Sequence, residues 1–256
     1  MNWEKMSVQK INQMLLDGYE FTHEDIEQLR GDRRKFVQEI LGHGEKLRRE
    51  RERIQGLYQF ERELYEKGIK YIAGIDEAGR GPLAGPVVAG AVILPAECFI
   101  SGLNDSKKIP EPKRYLLEKE IKEKALAWSV GAVGAHDIDR INIYQAACLA
   151  MVRAVKKLSL RPEHLFIDAL SLRSLDIPQT PIIKGDARSA SIAAASILAK
   201  CHRDRLMTQY DSRFPDYGFI RHKGYPTPEH IEIISRLGRT CIHRMTFHVP
   251  CSDSQK

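Results

Sequence analysis

Residues 71–94 read YIAGIDEAGRGPLAGPVVAGAVIL. Two runs of β-branched and small residues, Tyr71–Asp76 and Val87–Leu94, flank a loop dense in glycine and proline, and a strand is predicted on each side of it. Beyond them, Pro112–Lys124 has helical spacing and Leu126–Val133 reads as a third strand. Asn142–Leu158 reads as a helix with Ala146, Ala147, Met151, Val152 and Val155 apolar. Leu165–Asp168 and Pro181–Lys184 are short strands, and Ala187–Arg205 is an alanine-rich helix. Strands first, then strands alternating with helices, indicate an α/β sandwich on a mixed sheet.

Upstream of Tyr71 the pattern is helical. Ser7 is placed to cap a segment carrying Val8, Ile11, Met14 and Leu15, closed by Gly18. Thr22 and Asp25 form a capping-box-like start, and Phe36, Val37, Ile40 and Leu41 make a stripe ended by Gly42. A long polar helix is predicted over 45–67, with Leu47, Ile54, Leu57, Tyr58, Leu64 and Tyr65 on one side. Its KLRRERER run, Lys46–Arg53, alternates in sign and reads as a solvated face. Two parts follow: a helical extension over 1–70 and a second domain over 71–256.

The 256 residues carry 40 Lys+Arg and 34 Asp+Glu, a net charge of +6. Residues 1–70 hold 14 of each sign, so the excess belongs wholly to 71–256, with 26 basic and 20 acidic residues. The longest uncharged stretch, Gly81–Ala96, is too short and too rich in glycine and proline for a membrane span. The start, MNWEKMSVQK, lacks an apolar signal core, so a cytoplasmic protein without membrane attachment is expected. Five cysteines with no CxxC argue against a disulfide framework or a zinc ribbon, and Cys241 with His243 is too small a ligand set for zinc.

Four acids stand in unusual company. Asp76 ends YIAGID, Asp168 ends LFID, Asp186 precedes the alanine-rich helix, and Glu77 adjoins Asp76. Singly, each has an ordinary explanation: a turn residue at a strand end for Asp76 and Asp168, a helix cap for Asp186, a surface group for Glu77. Jointly they place carboxylates where ligands enter α/β sheets, at a desolvation cost that a cation offsets. Hard divalent ions such as Mg²⁺ and Mn²⁺ match these oxygen donors, which points to metal-dependent phosphoryl chemistry. Adjacent strand residues face opposite ways, so Asp76 and Glu77 share a site only if the strand ends or bends there; the run Glu77-Ala78-Gly79-Arg80-Gly81-Pro82 is expected to supply the bend. That loop is not a P-loop, for it lacks the lysine and a following helix. In HKGYPT, residues 222–227, Thr227 is placed to cap a helix from Pro228, and Tyr225 is either core or a stacking surface for a base or sugar. Asn104-Asp105-Ser106-Lys107-Lys108 is a polar loop suited to phosphate contact.

Taken in order, GIDEAGRGPLAGPVVAGAVIL, NDSKK, DIDRINIYQAACLAM, FIDAL, KGDARSASIAAASILAKCHRDR, YGFIRHKGYPTPEH and HRMTF resemble bacterial ribonuclease HII over roughly residues 71–248. The resemblance implies an RNase H-like fold, a central five-stranded mixed sheet flanked by helices. It implies an endonuclease that cuts the RNA strand of RNA–DNA hybrids and incises duplex DNA 5′ of embedded ribonucleotides, leaving 3′-hydroxyl and 5′-phosphate ends. The family's catalytic, metal-holding carboxylates fall on Asp76, Glu77, Asp168 and Asp186, its substrate-binding loop on Gly79, Arg80 and Gly81, and its substrate-reading tyrosine on Tyr225. Mg²⁺ or Mn²⁺ is the implied cofactor, and a monomer is expected. Ala169 stands where the family commonly has glycine, and Thr246 where serine is common. The extension over 1–70 is not required by the family's core; substrate binding and a packing role both stay open for it. A sister ribonuclease H that ignores single ribonucleotides, a non-catalytic nucleic-acid binder and a small-molecule phosphatase are the alternatives.

Overall fold

The computed structural model describes residues 3, 6–16, 19, 22–29 and 35–250, which fall into two units, Met1–Arg53 and Ile54–Lys256. The first unit holds α1 (Val8–Leu16), α2 (His23–Leu29) and all but the last turn of α3 (Lys35–Leu57). Trp3, Ile11, Ile26, Leu29 and Val37 bury together there. Ser7 caps α1, with the Lys10 amide 3.3 Å from its hydroxyl. The Thr22–Asp25 box forms in both directions, at 2.9 and 3.2 Å. Gly18 and Cys251 lie outside the described residues, as do the side chains of Val8, Leu15, Phe36, Ile40 and Leu41.

Two expectations for this region are corrected. Gly42 does not end a helix: α3 runs straight through it, because an exposed glycine weakens a helix by only about 1 kcal/mol relative to alanine. Nor is 45–67 one helix. The chain breaks at Tyr58, whose ring is buried and whose hydroxyl donates to the Cys98 carbonyl at 3.0 Å, and α4 (Gln59–Tyr65) follows. That tertiary anchor is invisible to helical periodicity.

The second unit is built on five strands: β1 (Ile72–Ala78), β2 (Val87–Ile93), β3 (Ala127–Val133), β4 (His164–Asp168) and β5 (Gln179–Ile182). Their order is β3-β2-β1-β4-β5. The first three pair antiparallel, whereas β1, β4 and β5 run parallel, so β1 is the centre of a mixed sheet. Helix α7 (Ile143–Lys156) covers one face, burying Ala146, Ala147, Ala150 and Met151 against Ala73, Ile75 and Ile167. Helix α8 (Ala190–Arg213) covers the other, and α5 (Glu111–Lys124) packs on it. The sheet accepts α8 at glycine distance. A Cβ on Gly74 would stand 2.0 Å from the Ser191 carbonyl carbon, and one on Gly90 2.3 Å from the Ala195 oxygen.

Three boundaries differ from expectation. β5 starts at Gln179, whose side chain bonds the Leu172 amide and carbonyl at 2.8 Å each, and it ends before Lys184 at φ 56°. Asp186 is not the cap of α8: it sits in a 3₁₀ turn, Gly185–Ala187, and Ser189 accepts from the Ile192 amide at 3.3 Å. A short α6 (Ala135–Ile141) precedes α7, separated from it by Asn142, whose side chain caps α7. The remaining helices are α9 (Phe219–His222) and α10 (Pro228–Leu237), the latter capped by Thr227 as expected. No helix among the described residues is long and apolar enough to cross a membrane.

Candidate active site

Parallel pairing sets Ile75 beside Ile167, so Asp76 and Asp168 come next on neighbouring strands. With Gly74 turned toward α8, the alternation of the strand puts Asp76 on that face, and Ser196 of α8 lies against it. Asp168 accepts from the Gly185 amide at 2.8 Å, which ties β4 to the turn carrying Asp186. Asp76 and Asp186 are buried, at 6 and 8% exposure. Burial, reinforced by the charges of Glu77 and Asp168, pushes the Asp76 carboxyl well above the usual range. Burial, then Asp105 and Asp168, raises Asp186 in the same way.

Glu77 behaves differently. The expected bend is not at this residue, because β1 stays in register with β2 through Ala78. Glu77 therefore alternates toward the α7 side, where it influences Cys148. Arg80 reaches back to it, Nη1 to Oε1 at 3.2 Å, while its Oε2 is buried without a hydrogen-bond partner. Burial raises this carboxyl too, with Arg80 opposing. Among the described residues no three His, Cys, Asp or Glu side chains close on one point at ligand spacing. The four acids are electrostatic neighbours, not a closed cage.

The sequence reading under-rated the 104–108 loop. Its Ser106 is buried and takes a 2.7 Å bond from Ser196, nearly two turns into α8. Burial works against the charge of Lys107, but Asp76, Asp105, Asp186 and Asp168 outweigh it and hold the ammonium above its usual range. Lys107 is thus the cation facing the acids.

Two buried arginines hold the Gly79–Pro86 loop and the turn at Lys223 in place, and neither was singled out from the sequence. Arg203 of α8 donates to the carbonyls of Pro86, Ala84 and Lys223, each at 3.0 Å. Arg244 donates to Gly79 at 2.6 Å, Arg80 at 2.8 Å and Gly85 at 2.9 Å. A Cβ on Gly79, at φ 93°, would strike Arg203 at 2.1 Å, so the fold itself demands that glycine. Gly81 is different, for nothing lies within 4 Å of where its Cβ would be. Arg80 is 46% exposed beside it.

Tyr225 is 40% exposed, with Arg203 and Lys200 at 5.7 and 5.9 Å from its ring. Its backbone is set by a buried histidine chain. The Thr240 amide donates to His243 Nδ1 at 2.8 Å, which leaves His243 Nε2–H to donate to His230 Nε2 at 3.1 Å. His230 Nδ1–H then donates to the Tyr225 carbonyl at 2.9 Å. His222 stacks on His230 with 4.2 Å between centroids. Burial drives both His230 and His243 down to about 4. The Cys241–His243 pair is no ligand pair: Cys241 is exposed and His243 belongs to this chain of bonds.

A five-stranded mixed sheet with acids at the adjoining ends of its central parallel strands, and another before the helix that covers them, defines the RNase H-like class of nucleases. Among solved structures, ribonuclease H2 from Pyrococcus horikoshii OT3 superposes with a TM-score of 0.61 at 25% identity, over 70% of this chain and 94% of that one. The family model described as Ribonuclease HII matches residues 73–249. A ribonuclease HII of Moorella thermoacetica is 56% identical over 77% of this chain and 96% of its own length. One from Geobacillus thermodenitrificans is 53% identical over 86% of both chains. The chain belongs to the ribonuclease HII family and is a hydrolase of the endoribonuclease type.

Proposed function

We propose that this chain hydrolyses the RNA strand of RNA–DNA hybrids and incises duplex DNA 5′ of an embedded ribonucleotide, leaving 3′-hydroxyl and 5′-phosphate ends, with Asp76, Glu77, Asp168 and Asp186 as catalytic carboxylates. The observation that carries this is the gathering of mutually repelling acids at the ends of β1 and β4 and in the Gly185–Ala187 turn, with Asp76 and Asp186 buried and one Glu77 oxygen unpartnered. Such a donor set fits hard divalent cations, Mg²⁺ or Mn²⁺, and these four residues would hold up to two of them. Bound there, the ions lower the pKa of a water and stabilise the departing 3′-oxygen.

The chain's own groups do the rest. Lys107 brings positive charge to the acids and attracts the phosphate. The open space over Gly81 admits a sugar edge, and Arg80 beside it offers a planar charge. Tyr225 presents its ring to the nucleotide next to the ribose, where the 2′-hydroxyl distinguishes RNA from DNA. Lys and Arg in excess over residues 71–256 bind the duplex backbone. The enzyme acts as a cytoplasmic monomer on this reading.

The test is a duplex carrying one ribonucleotide, digested with Mg²⁺ and with Mn²⁺ and mapped for its cut. Asp76→Asn is expected to abolish cleavage while duplex binding persists, and retained cleavage overturns the assignment. Cutting of uniform hybrid but not of the single ribonucleotide would assign the sister type instead. Tyr225→Ala is expected to lower the preference for the single-ribonucleotide duplex over uniform hybrid; an unchanged ratio removes Tyr225 from recognition.

A further inference from the structure

Glu61 lies on α4, outside residues 73–249 that match the family, and it is fully buried. Its Oε1 accepts three bonds at the N-terminus of α8: from Ser189 Oγ at 2.6 Å, Ser191 Oγ at 2.7 Å and the Ser191 amide at 3.1 Å. Its Oε2 has no partner. A fully buried carboxyl with a vacant oxygen is a costly way to cap a helix that Ser189 already caps, so packing alone does not account for it.

The bonds continue inward. Ser189, held by Glu61, donates its amide to the Gly185 carbonyl at 2.8 Å, and the Gly185 amide donates to Asp168 at 2.8 Å. Asp186 sits inside the turn that these bonds close. From the helical extension to two of the four acids there are thus three hydrogen bonds in series.

We propose that Glu61 is a positioning residue that sets the Gly185–Ser189 turn, and through it the placement of Asp186 against Asp168. This rests on the assignment of those acids as metal-holding groups. The Glu61 carboxyl supplies an acceptor oxygen at the N-terminal end of a 24-residue helix, fixing where the helix begins. A displacement of about 1 Å in a catalytic group costs up to about 100-fold in rate. Glu61, on this view, serves the catalytic acids without touching substrate, whereas its apolar neighbours on α4 only pack.

The experiment compares full-length wild type, Glu61→Ala, Glu61→Gln and Leu64→Ala, the last a control that weakens the packing of the same helix. Each is assayed well below its own unfolding midpoint. Two quantities are read: kcat on the single-ribonucleotide duplex against its Kd, and Mn²⁺ affinity by calorimetry without nucleic acid. Glu61→Ala is expected to lower kcat about tenfold or more and to weaken Mn²⁺ binding, with duplex Kd unchanged. Glu61→Gln keeps an acceptor oxygen and is expected to recover most of both, while Leu64→Ala keeps both at wild-type values. Wild-type kcat and Mn²⁺ affinity in Glu61→Ala overturn the proposal, as does an equal loss in Leu64→Ala. If wild type itself fails to cut, the functional reading falls, and the Mn²⁺ comparison still decides the role of Glu61.

Discussion

Arg244 shows how much one side chain can organise. Its exposure is 1%, and it donates to backbone carbonyls of the Gly79–Gly85 loop. Burial, with Arg203 adding its charge, pulls the guanidinium down to about 9. Only a planar fork of donors satisfies Gly79, Arg80 and Gly85 at once; a lysine ammonium reaches one or two. Arg244→Lys should therefore cost about 2–4 kcal/mol in urea unfolding, because buried carbonyls lose their donors. A loss under about 0.5 kcal/mol would show that water replaces it. Ala169 makes a second point at this scale. It follows Asp168 at φ 51°, a left-handed conformation that alanine adopts at a cost of about 1–2 kcal/mol, and this explains why glycine is common at that position in the family.

Among the elements, the α10 and Tyr217–Tyr225 region is held by neutral histidines, and this has a pH consequence. His230 and His243 have folded pKa values of about 4, below the unfolded value near 6.5. Between those limits the unfolded chain binds more protons, so the pair's contribution is intact above about pH 6.5 and is lost as pH falls toward 4. The expected result is a melting temperature that drops more steeply over this window in wild type than in His243→Asn, measured by calorimetry. Equal slopes would mean the pair titrates normally. Elements were also the scale at which the sequence was most readable. Short runs of β-branched and small residues located β1 to β4, and the Thr22 and Thr227 caps were placed by local chemistry. Asp76, Asp168 and Asp186 stood out because acids at strand ends break an apolar pattern. Arg203, Arg244 and Glu61 did not, since their partners in the Gly79–Pro86 loop lie 117 to 165 residues away for the arginines, and those of Glu61 lie 128 to 130 away, and nothing near them in sequence marks them. The bend expected in the Glu77–Pro82 run comes at Gly79, φ 93°, because pairing with β2 holds β1 extended through Ala78.

At the scale of the whole chain, the two compact units divide after Arg53. Ile54, Leu57 and Tyr58 bury with Val92, Leu117 and Leu198, so these extension residues complete the core of the second unit. Removal of residues 1–53 is expected to leave a cooperatively folding protein with wild-type kcat. Removal of residues 1–70 should lower its stability by several kcal/mol, since three large apolar side chains are lost. Comparable stability of the two truncations would place the boundary later. The first 70 residues are electrically neutral, so the salt dependence of duplex binding should not change when the first unit is deleted.

The mixed sheet also dictates when the enzyme comes into being. Ala73 pairs with Ile93 across a local hairpin, but Ile72 waits for His164, and α8 must then dock on Gly74 and Gly90 at backbone distance. Non-local pairing closes late because the loop entropy precedes the contact. During synthesis, a chain displaying Asp76 and Glu77 on a formed hairpin still lacks Asp168 and Asp186. The nuclease is therefore silent until nearly all of it has emerged and folded, and a truncated or stalled chain carries no stray cutting activity.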